Sequence, residues 1–270
     1  MLGKDRLITA AVALPLVGAA VAWLPSALFA VLIAAVSAAG MWELYRFRFP
    51  GGLTTAAWIA VVAGFFVVAA APLHWQLLAP AVLLVLVARL ASGRVADALG
   101  DCGALVLGLV WVALLLSHVP LLHAAADGAE GGGFRWVFFL MLVTWSGDAA
   151  AYYTGRTIGR RRLTTVSPNK TVEGTLGGVL ASIAAAYLGS LFVPGLSPLD
   201  PLAIGLLLGV LALLGDLVES LFKREAGVKD SSNLIPAHGG VLDKLDAFLF
   251  TGTGLYYYLA WMVWVRPPVP

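Results

Sequence analysis

Charge is the scarcest ingredient of this sequence. Only 12% of its 270 residues are charged while 60% are hydrophobic, against about a quarter charged and about half apolar in soluble domains. A water-soluble fold of this length has no core large enough to hide that excess, so the apolar surplus must face lipid. Cysteine is almost missing. Cys102 stands alone, which excludes an intramolecular disulfide framework and a cysteine-rich metal site; such a residue ordinarily packs as a small buried thiol. The net charge of +2 says little by itself, and where the charges fall says more; no nucleic-acid partner is expected. No internal repeat, low-complexity linker or soluble appendage is evident. The chain reads as one membrane domain over 1–270, with N-terminal helices in 1–130 and the chemistry in 134–270.

What is abundant is uninterrupted apolar sequence. A helix needs roughly 20 residues to cross about 30 Å of hydrocarbon, and about nine runs approach that length: Leu7–Trp23, Ser26–Trp42, Leu53–Ala71, Leu73–Leu90, Ala104–Leu122, Phe134–Tyr153, Val172–Val193, Leu202–Phe222 and Leu245–Val265. Each is continuously apolar rather than alternating, which indicates helices and an all-α, polytopic membrane protein. Gln76 and Pro80 make 73–90 the least regular run. The first follows MLGKDR, the start of a signal peptide by pattern, yet it is long and a second apolar stretch follows at once, so it reads as a retained span.

Basic residues test the threading, because they gather in short cytoplasmic loops. With the N-terminus cytoplasmic, Lys4, Arg6, Arg46, Arg48, Arg89, Arg94, Arg156, Arg160, Arg161, Arg162, Lys170, Lys223, Arg224, Lys229 and Lys244 fall on one side. Only Arg135 and Arg266 of the 17 Lys and Arg residues fall on the other.

Charges inside membrane segments are costly and usually functional. Asp148, Asp216, Glu219 and Asp246 lie within or at the ends of the apolar runs, all toward the cytoplasmic side. Asp216, Glu219, Ser220 and Lys223 are spaced i, i+3, i+4 and i+7, one stripe of a helix, and Asp243 and Asp246 share a face by the same rule. Asp148 stands one turn before Tyr152. Three helices can thus bring carboxylates to one place beside clustered bases, the requirement of a metal-assisted phosphate site. The lesser alternative for any one of these carboxylates is an ion pair with a neighbouring Lys or Arg that merely makes it tolerable. Arg160, Arg161, Arg162 and Lys170 in the Gly155–Gly174 segment would neutralise remaining phosphate charge; the lesser alternative for the Arg160–Arg162 run taken alone is a loop that fixes topology, which is the better account of Arg46, Arg48, Arg89 and Arg94, although those also suit anionic headgroups. His74, His118 and His123 fall near the opposite surface and receive no role.

The segment from Ser220 to Asp246, SLFKREAGVKDSSNLIPAHGGVLDKLD, is more specific. Ser220, Lys223, Arg224, Lys229, Asp230, Pro236, His238, Gly239, Gly240, Asp243 and Asp246 resemble, in identity and spacing, the signature of the phosphatidate cytidylyltransferase (CDP-diacylglycerol synthase) family. Lys244 departs from it, standing where the family usually carries Arg. Ser167, Pro168, Lys170, Thr171, Glu173 and Gly174 resemble a second family element, and Asp148, Ala151, Tyr152 and Gly155 a third. The resemblance covers about the C-terminal half of the chain; the first five runs carry only general similarity in hydropathy.

The resemblance implies that CTP and phosphatidic acid react to CDP-diacylglycerol and pyrophosphate, with Mg²⁺ or another divalent cation, and a second cation in some arrangements, held by aspartates. Expected metal ligands are Asp148, Asp216, Asp243 and Asp246. Lys223, Lys229 and His238 are expected to act on the reacting phosphates. Ser167, Lys170, Glu173, Ser220, Arg224, Asp230, Gly239, Gly240, Lys244 and Tyr152 are expected to line the substrates. A homodimer in a bacterial-type inner membrane, with its site toward the cytoplasm, is implied as well. Two rivals share parts of this pattern: a CTP-using enzyme on another lipid, such as an isoprenoid cytidylyltransferase or a polyprenol or phytol kinase, and a membrane transporter, in which intramembrane carboxylates also occur.

Overall fold

A computed structural model describes residues 4–73, 75–125, 132–235 and 239–265, with side chains described from residue 14 onward apart from residue 75. Among the described residues the protein is all helical, without strands, and carries two isolated β-bridges, Arg162–Thr171 and Ile235–Gly239. The helices are α1 Lys4–Trp23, α2 Ser26–Arg48, α3 Thr55–Ala69, α4 Leu78–Ala91, α5 Ala98–Leu107, α6 Leu115–Ala124, α7 Gly133–Ile158, α8 Val172–Gly189, α9 Asp200–Glu225 and α10 Leu242–Tyr258. A wide turn of π-helix, Gly108–Leu114, joins α5 to α6 without a break. Among the described residues four helical stretches are long and apolar enough to cross a membrane: Ser26–Arg48, Ala98–Ala124, Val172–Gly189 and Asp200–Glu225. The chain is a multi-pass membrane protein.

Every apolar run coincides with a helix, but the ends differ for identifiable reasons. α2 continues six residues past Trp42 to Arg48, which brings Glu43 inside the helix. α3 starts late because the Thr54 side chain accepts from the Ala57 N–H and caps it. The run after Leu73 becomes a short 3₁₀ turn at Trp75–Leu77, and α4 begins only at Leu78. Pro80 then sits in the first turn, where a missing N–H costs no helical hydrogen bond. α10 begins three residues earlier than Leu245 and so takes up Asp243.

The chain divides into two compact units. In the first, residues 1–124 and 225–245, α2 is the central helix: Phe29, Ala30, Ala34, Met41, Leu44 and Tyr45 are buried along it. The Tyr45 hydroxyl donates to the Leu105 carbonyl at 2.8 Å, just before the chain widens into its π turn. His123 stacks on Phe29 and bonds both Ser26 Oγ and the Val21 carbonyl, a packing role that accounts for its burial.

In the second unit, residues 125–224 and 246–270, α7 packs against α8 from Phe139 beside Gly189 to Gly155 beside Gly174. Lipid offers no hydrophobic drive between helices, so association rests on close backbone approach and interhelical hydrogen bonds. Ser182 of α8 donates to the Val143 carbonyl of α7 at 3.3 Å. Gly205 and Gly209 of α9 rest against the backbone of Ile183 and Val179 in α8. Thr144 of α7 donates to Thr251 of α10 at 3.2 Å, and Tyr258 of α10 donates to Asp200 at the start of α9 at 2.7 Å.

Candidate active site

The second unit gathers most of the expected charges. Lys170 lies in the loop between α7 and α8, and the loop is not a random connection. Leu163 N donates to the Lys170 carbonyl and Val172 N to the Arg161 carbonyl, both at 2.9 Å, so the chain doubles back as a small hairpin. Lys170 N donates to the Ser167 carbonyl at 3.0 Å and closes the turn. Glu173, in the first turn of α8, accepts from the Arg160 and Arg161 N–H groups at 3.0 and 3.2 Å and pins the other end. Thr171 accepts from Gly174 N at 3.0 Å and caps α8. Ser167 and Glu173 thus both shape the hairpin that presents Lys170.

Lys170 Nζ stands 2.5 Å from Asp216 Oδ2 of α9. One turn further along α9, Ser220 Oγ donates to Asp216 Oδ1 at 3.3 Å. Lys223 pairs with Glu219 at 2.7 Å, with Glu219 almost wholly buried. Arg224 Nε reaches back to the Val166 carbonyl of the hairpin at 3.4 Å. Asp148 of α7 experiences the charges of both Lys170 and Asp216, and Asp246 of α10 those of Asp216, Asp148 and Lys223. Asp148, Asp216 and Asp246, one from each of three helices, therefore form one electrostatic group with Lys170 and Lys223. Tyr152, 58% exposed, accepts from Arg156 on its own helix at 2.9 Å.

Close packing sets this convergence. Gly215 lies directly against the Asp246 carbonyl, and any Cβ there would overlap it. α9 and α10 therefore touch at the level of their aspartates, which is why a residue without a side chain precedes Asp216.

The remaining signature residues belong to the first unit. Asp243 Oδ2 accepts from Ser231 N at 3.0 Å, Ser231 Oγ at 3.0 Å and Gly240 N at 2.7 Å. Gly239 has φ +88°, a left-handed conformation that suits glycine, and a Cβ there would stand 2.6 Å from Asp243 Oδ2. Gly239 thus lets the chain wrap this carboxylate, while a Cβ at Gly240 would overlap Ser231 Oγ. Lys229, Asp230 and Lys244 are exposed. His238, together with Pro236, lies outside the described residues.

Sequence reasoning missed Glu43. Its side chain is fully buried and accepts four hydrogen bonds, from Ser231 Oγ at 2.8 Å, Ser232 Oγ at 2.5 Å, Val241 N at 2.9 Å and Leu242 N at 2.7 Å. The available signal was a carboxylate three residues before Arg46 in a segment that keeps its helical pattern past Trp42.

Hard oxygen donors on three helices suit Mg²⁺, which commonly takes one or two protein carboxylates and completes its shell with substrate phosphate and water. Among the described residues no three His, Cys, Asp or Glu side chains close into a ready cage.

The model of the cytidylyltransferase family matches residues 4–262. The chain belongs to that family. It is 47% identical over 116 residues to a phosphatidate cytidylyltransferase of Synechocystis sp., an alignment covering 43% of this chain and 40% of the relative. It is 45% identical over 130 residues to the phosphatidate cytidylyltransferase of Bacillus subtilis, covering 47% and 48%. Uncharacterized protein YnbB of Escherichia coli is 41% identical over 154 residues, covering 56% and 51%. The chain spans about half the length of these curated relatives.

Proposed function

We propose that the protein transfers a cytidylyl group from CTP to phosphatidic acid, leaving CDP-diacylglycerol in the bilayer and releasing pyrophosphate. The observation that carries this reading is the Lys170–Asp216 contact at 2.5 Å, which joins the two motif-bearing segments beside Asp148 and Asp246. Two curated relatives carry this activity in their names.

The lipid phosphate oxygen forms a bond to the α-phosphorus of CTP as the bond from that phosphorus to the β-bridging oxygen breaks. A phosphomonoester has its second pKa near 6 and is largely ionised at neutral pH, so a dedicated general base is dispensable. Both partners are anions. Charge neutralisation and in-line placement must therefore supply most of the rate. Lys170 and Lys223 meet phosphate oxygens, Arg224 and Lys229 neutralise the remaining phosphate charge, and Ser220 orients Asp216. Asp148, Asp216 and Asp246 would hold Mg²⁺ or another divalent cation, with a second cation beside it, and such an ion would supply stabilisation of the charge that develops around the α-phosphorus as the cytidylyl group is transferred. The sequence resemblance assigns Asp243 to this set as well; its three bonds at Oδ2 suit it to keeping the glycine loop in shape. His238 is assigned to phosphate by the same resemblance, with Asp230, Gly239, Gly240, Lys244 and Tyr152 toward substrate.

We further propose about nine spans with the N-terminus in the cytoplasm of a bacterial inner membrane, because 15 of 17 basic residues then face the cytoplasm. Phosphatidate then enters sideways from the leaflet and CTP from the cytosol. Pairing as a homodimer follows from the family resemblance.

The test is transfer of label by the purified protein in phosphatidate-containing micelles with Mg²⁺. The reading requires label from the CTP α-phosphate in lipid and label from the γ-phosphate in pyrophosphate. Lipid labelled from the γ-phosphate marks a kinase and contradicts it; substrate flux into sealed vesicles without lipid product marks a transporter and contradicts it equally.

A further inference from the structure

Glu43 has no place in the family signature and comes from a helix far from it in sequence, yet it touches both ends of the signature loop. Ser231 and Ser232 open the segment that follows Lys229 and Asp230; Val241 and Leu242 close it at the start of α10. All four donate to the Glu43 carboxylate, two to each oxygen: Ser232 Oγ and Val241 N to Oε1, Ser231 Oγ and Leu242 N to Oε2. A carboxylate buried without partners is strongly disfavoured, and four donors are what make its burial tolerable. The first N–H groups of a helix have no partner within it. Glu43 supplies one to Leu242 from another helix, and its negative charge sits at the positive end of α10.

The clasp reaches Asp243 through one atom. Ser231 Oγ is 2.8 Å from Glu43 Oε2 and 3.0 Å from Asp243 Oδ2. A hydroxyl has one proton and donates to one of the two at a time, while backbone N–H groups hold both carboxylates in place. Gly240, whose N–H donates to Asp243 at 2.7 Å, is packed so closely that a Cβ there would stand 2.6 Å from either Glu43 oxygen. Loop, glycine and aspartate are therefore fitted around the Glu43 side chain.

We infer that Glu43 is a positioning residue of the transfer reaction: it clamps the two ends of the 231–242 loop and thereby sets the orientation of Asp243 and the start of α10, without touching substrate. This deepens the cytidylyl-transfer reading and rests on it for the kinetic part. A glutamine at this position keeps the size but replaces one double acceptor with an N–H₂ donor aimed at two other donors. Aspartate keeps both oxygens on a shorter stem.

The experiment compares purified wild type with Glu43→Gln, Glu43→Asp and Ser232→Ala. Ser37→Ala serves as the control on the same helix, since that buried hydroxyl has no hydrogen-bond partner among the described residues. For each, kcat and the KM for CTP are measured with phosphatidate and Mg²⁺, and hydrogen exchange is followed in peptides covering 231–242. Glu43→Gln should lower kcat by about 10- to 100-fold, the range for residues that orient ligating groups, with KM changed by less than roughly threefold and exchange faster in 231–242 than in α3 and α4. Glu43→Asp should recover part of kcat, Ser232→Ala should lose less than Glu43→Gln, and Ser37→Ala should match wild type. Wild-type kcat in folded Glu43→Gln overturns the inference; so does a loss that tracks only the fraction of folded protein. If Glu43→Gln does not accumulate, unchanged kcat and unchanged loop exchange in Ser232→Ala overturn it. A wild-type protein without transfer activity would instead contradict the proposed function, and the exchange data alone would then decide whether the clasp exists.

Discussion

Gly215 presses against the backbone carbonyl of Asp246, so closely that the smallest side chain would overlap it. This contact joins α9 to α10 where each carries an aspartate, and it makes a glycine on an otherwise apolar helix part of the candidate site's geometry.

Gly215→Ala should therefore damage function out of proportion to its size. Overpacking in a fitted interface costs about 1–3 kcal/mol, and the strain here falls on the spacing of Asp216 and Asp246. Thermal unfolding in detergent and turnover should both fall. Gly103→Ala is the matched control: nothing lies within 4 Å of a Cβ at Gly103 in α5, so stability should hold or rise by up to about 1 kcal/mol, the difference in helix propensity. Equal behaviour of the two variants would show that the α9–α10 contact is unimportant.

Lys170 invites a double-mutant test. If its only role is the ion pair with Asp216, Lys170→Met should add nothing to the loss that Asp216→Asn already causes. If it also holds phosphate, the double variant should be slower than either single variant. Turnover of the four proteins at saturating CTP and phosphatidate separates the two outcomes.

Asp243 should separate shape from charge. Three donors converge on Oδ2, and asparagine can offer one carbonyl oxygen to them, whereas alanine takes that acceptor from the Ser231 and Gly240 N–H groups and leaves the Ser231 hydroxyl only Glu43. Asp243→Ala should lose about 1–3 kcal/mol of stability, Asp243→Asn clearly less, and both should transfer more slowly than wild type. Matching unfolding temperatures in the two variants would contradict this role of the loop bonds.

Lys244 replaces the family's usual arginine and is exposed. Arginine adds a planar two-pronged donor that lysine lacks. Because the flanking Asp243 is already held by Ser231 and Gly240, Lys244→Arg should leave turnover within about twofold of wild type. A large gain would mean that this position clamps phosphate in two places and that the natural lysine limits the reaction.

Much of the fold was legible because lipid imposes simple rules. Continuous apolar runs become helices since no other element satisfies its backbone there, and each of the nine runs overlaps one. The ends were not legible from hydropathy alone. Thr54, which caps α3, and Gly215, which admits α10, act through local hydrogen bonding and packing that a count of apolar residues does not register. The site was legible where residues recur at fixed spacing: Asp216, Ser220 and Lys223 do share a stripe of α9, and Lys170 does meet it. Glu43 was not legible, because nothing in the spacing of α2 shows that a loop almost 190 residues later folds over it. Ser167 and Glu173, read from the motif as substrate-lining, also shape the hairpin that carries Lys170, a role that motif spacing does not show.

Asp148, Asp216 and Asp246 should act as one group on a cation and phosphate. CDP-diacylglycerol formation from α-labelled CTP, followed across a Mg²⁺ titration for wild type, Asp216→Asn and Asp246→Asn, tests this. Each variant, folded as judged by its unfolding temperature, should form product at least about 100-fold more slowly and need more Mg²⁺ to reach half its maximal rate. Wild-type rates and an unchanged Mg²⁺ dependence in either variant would contradict it.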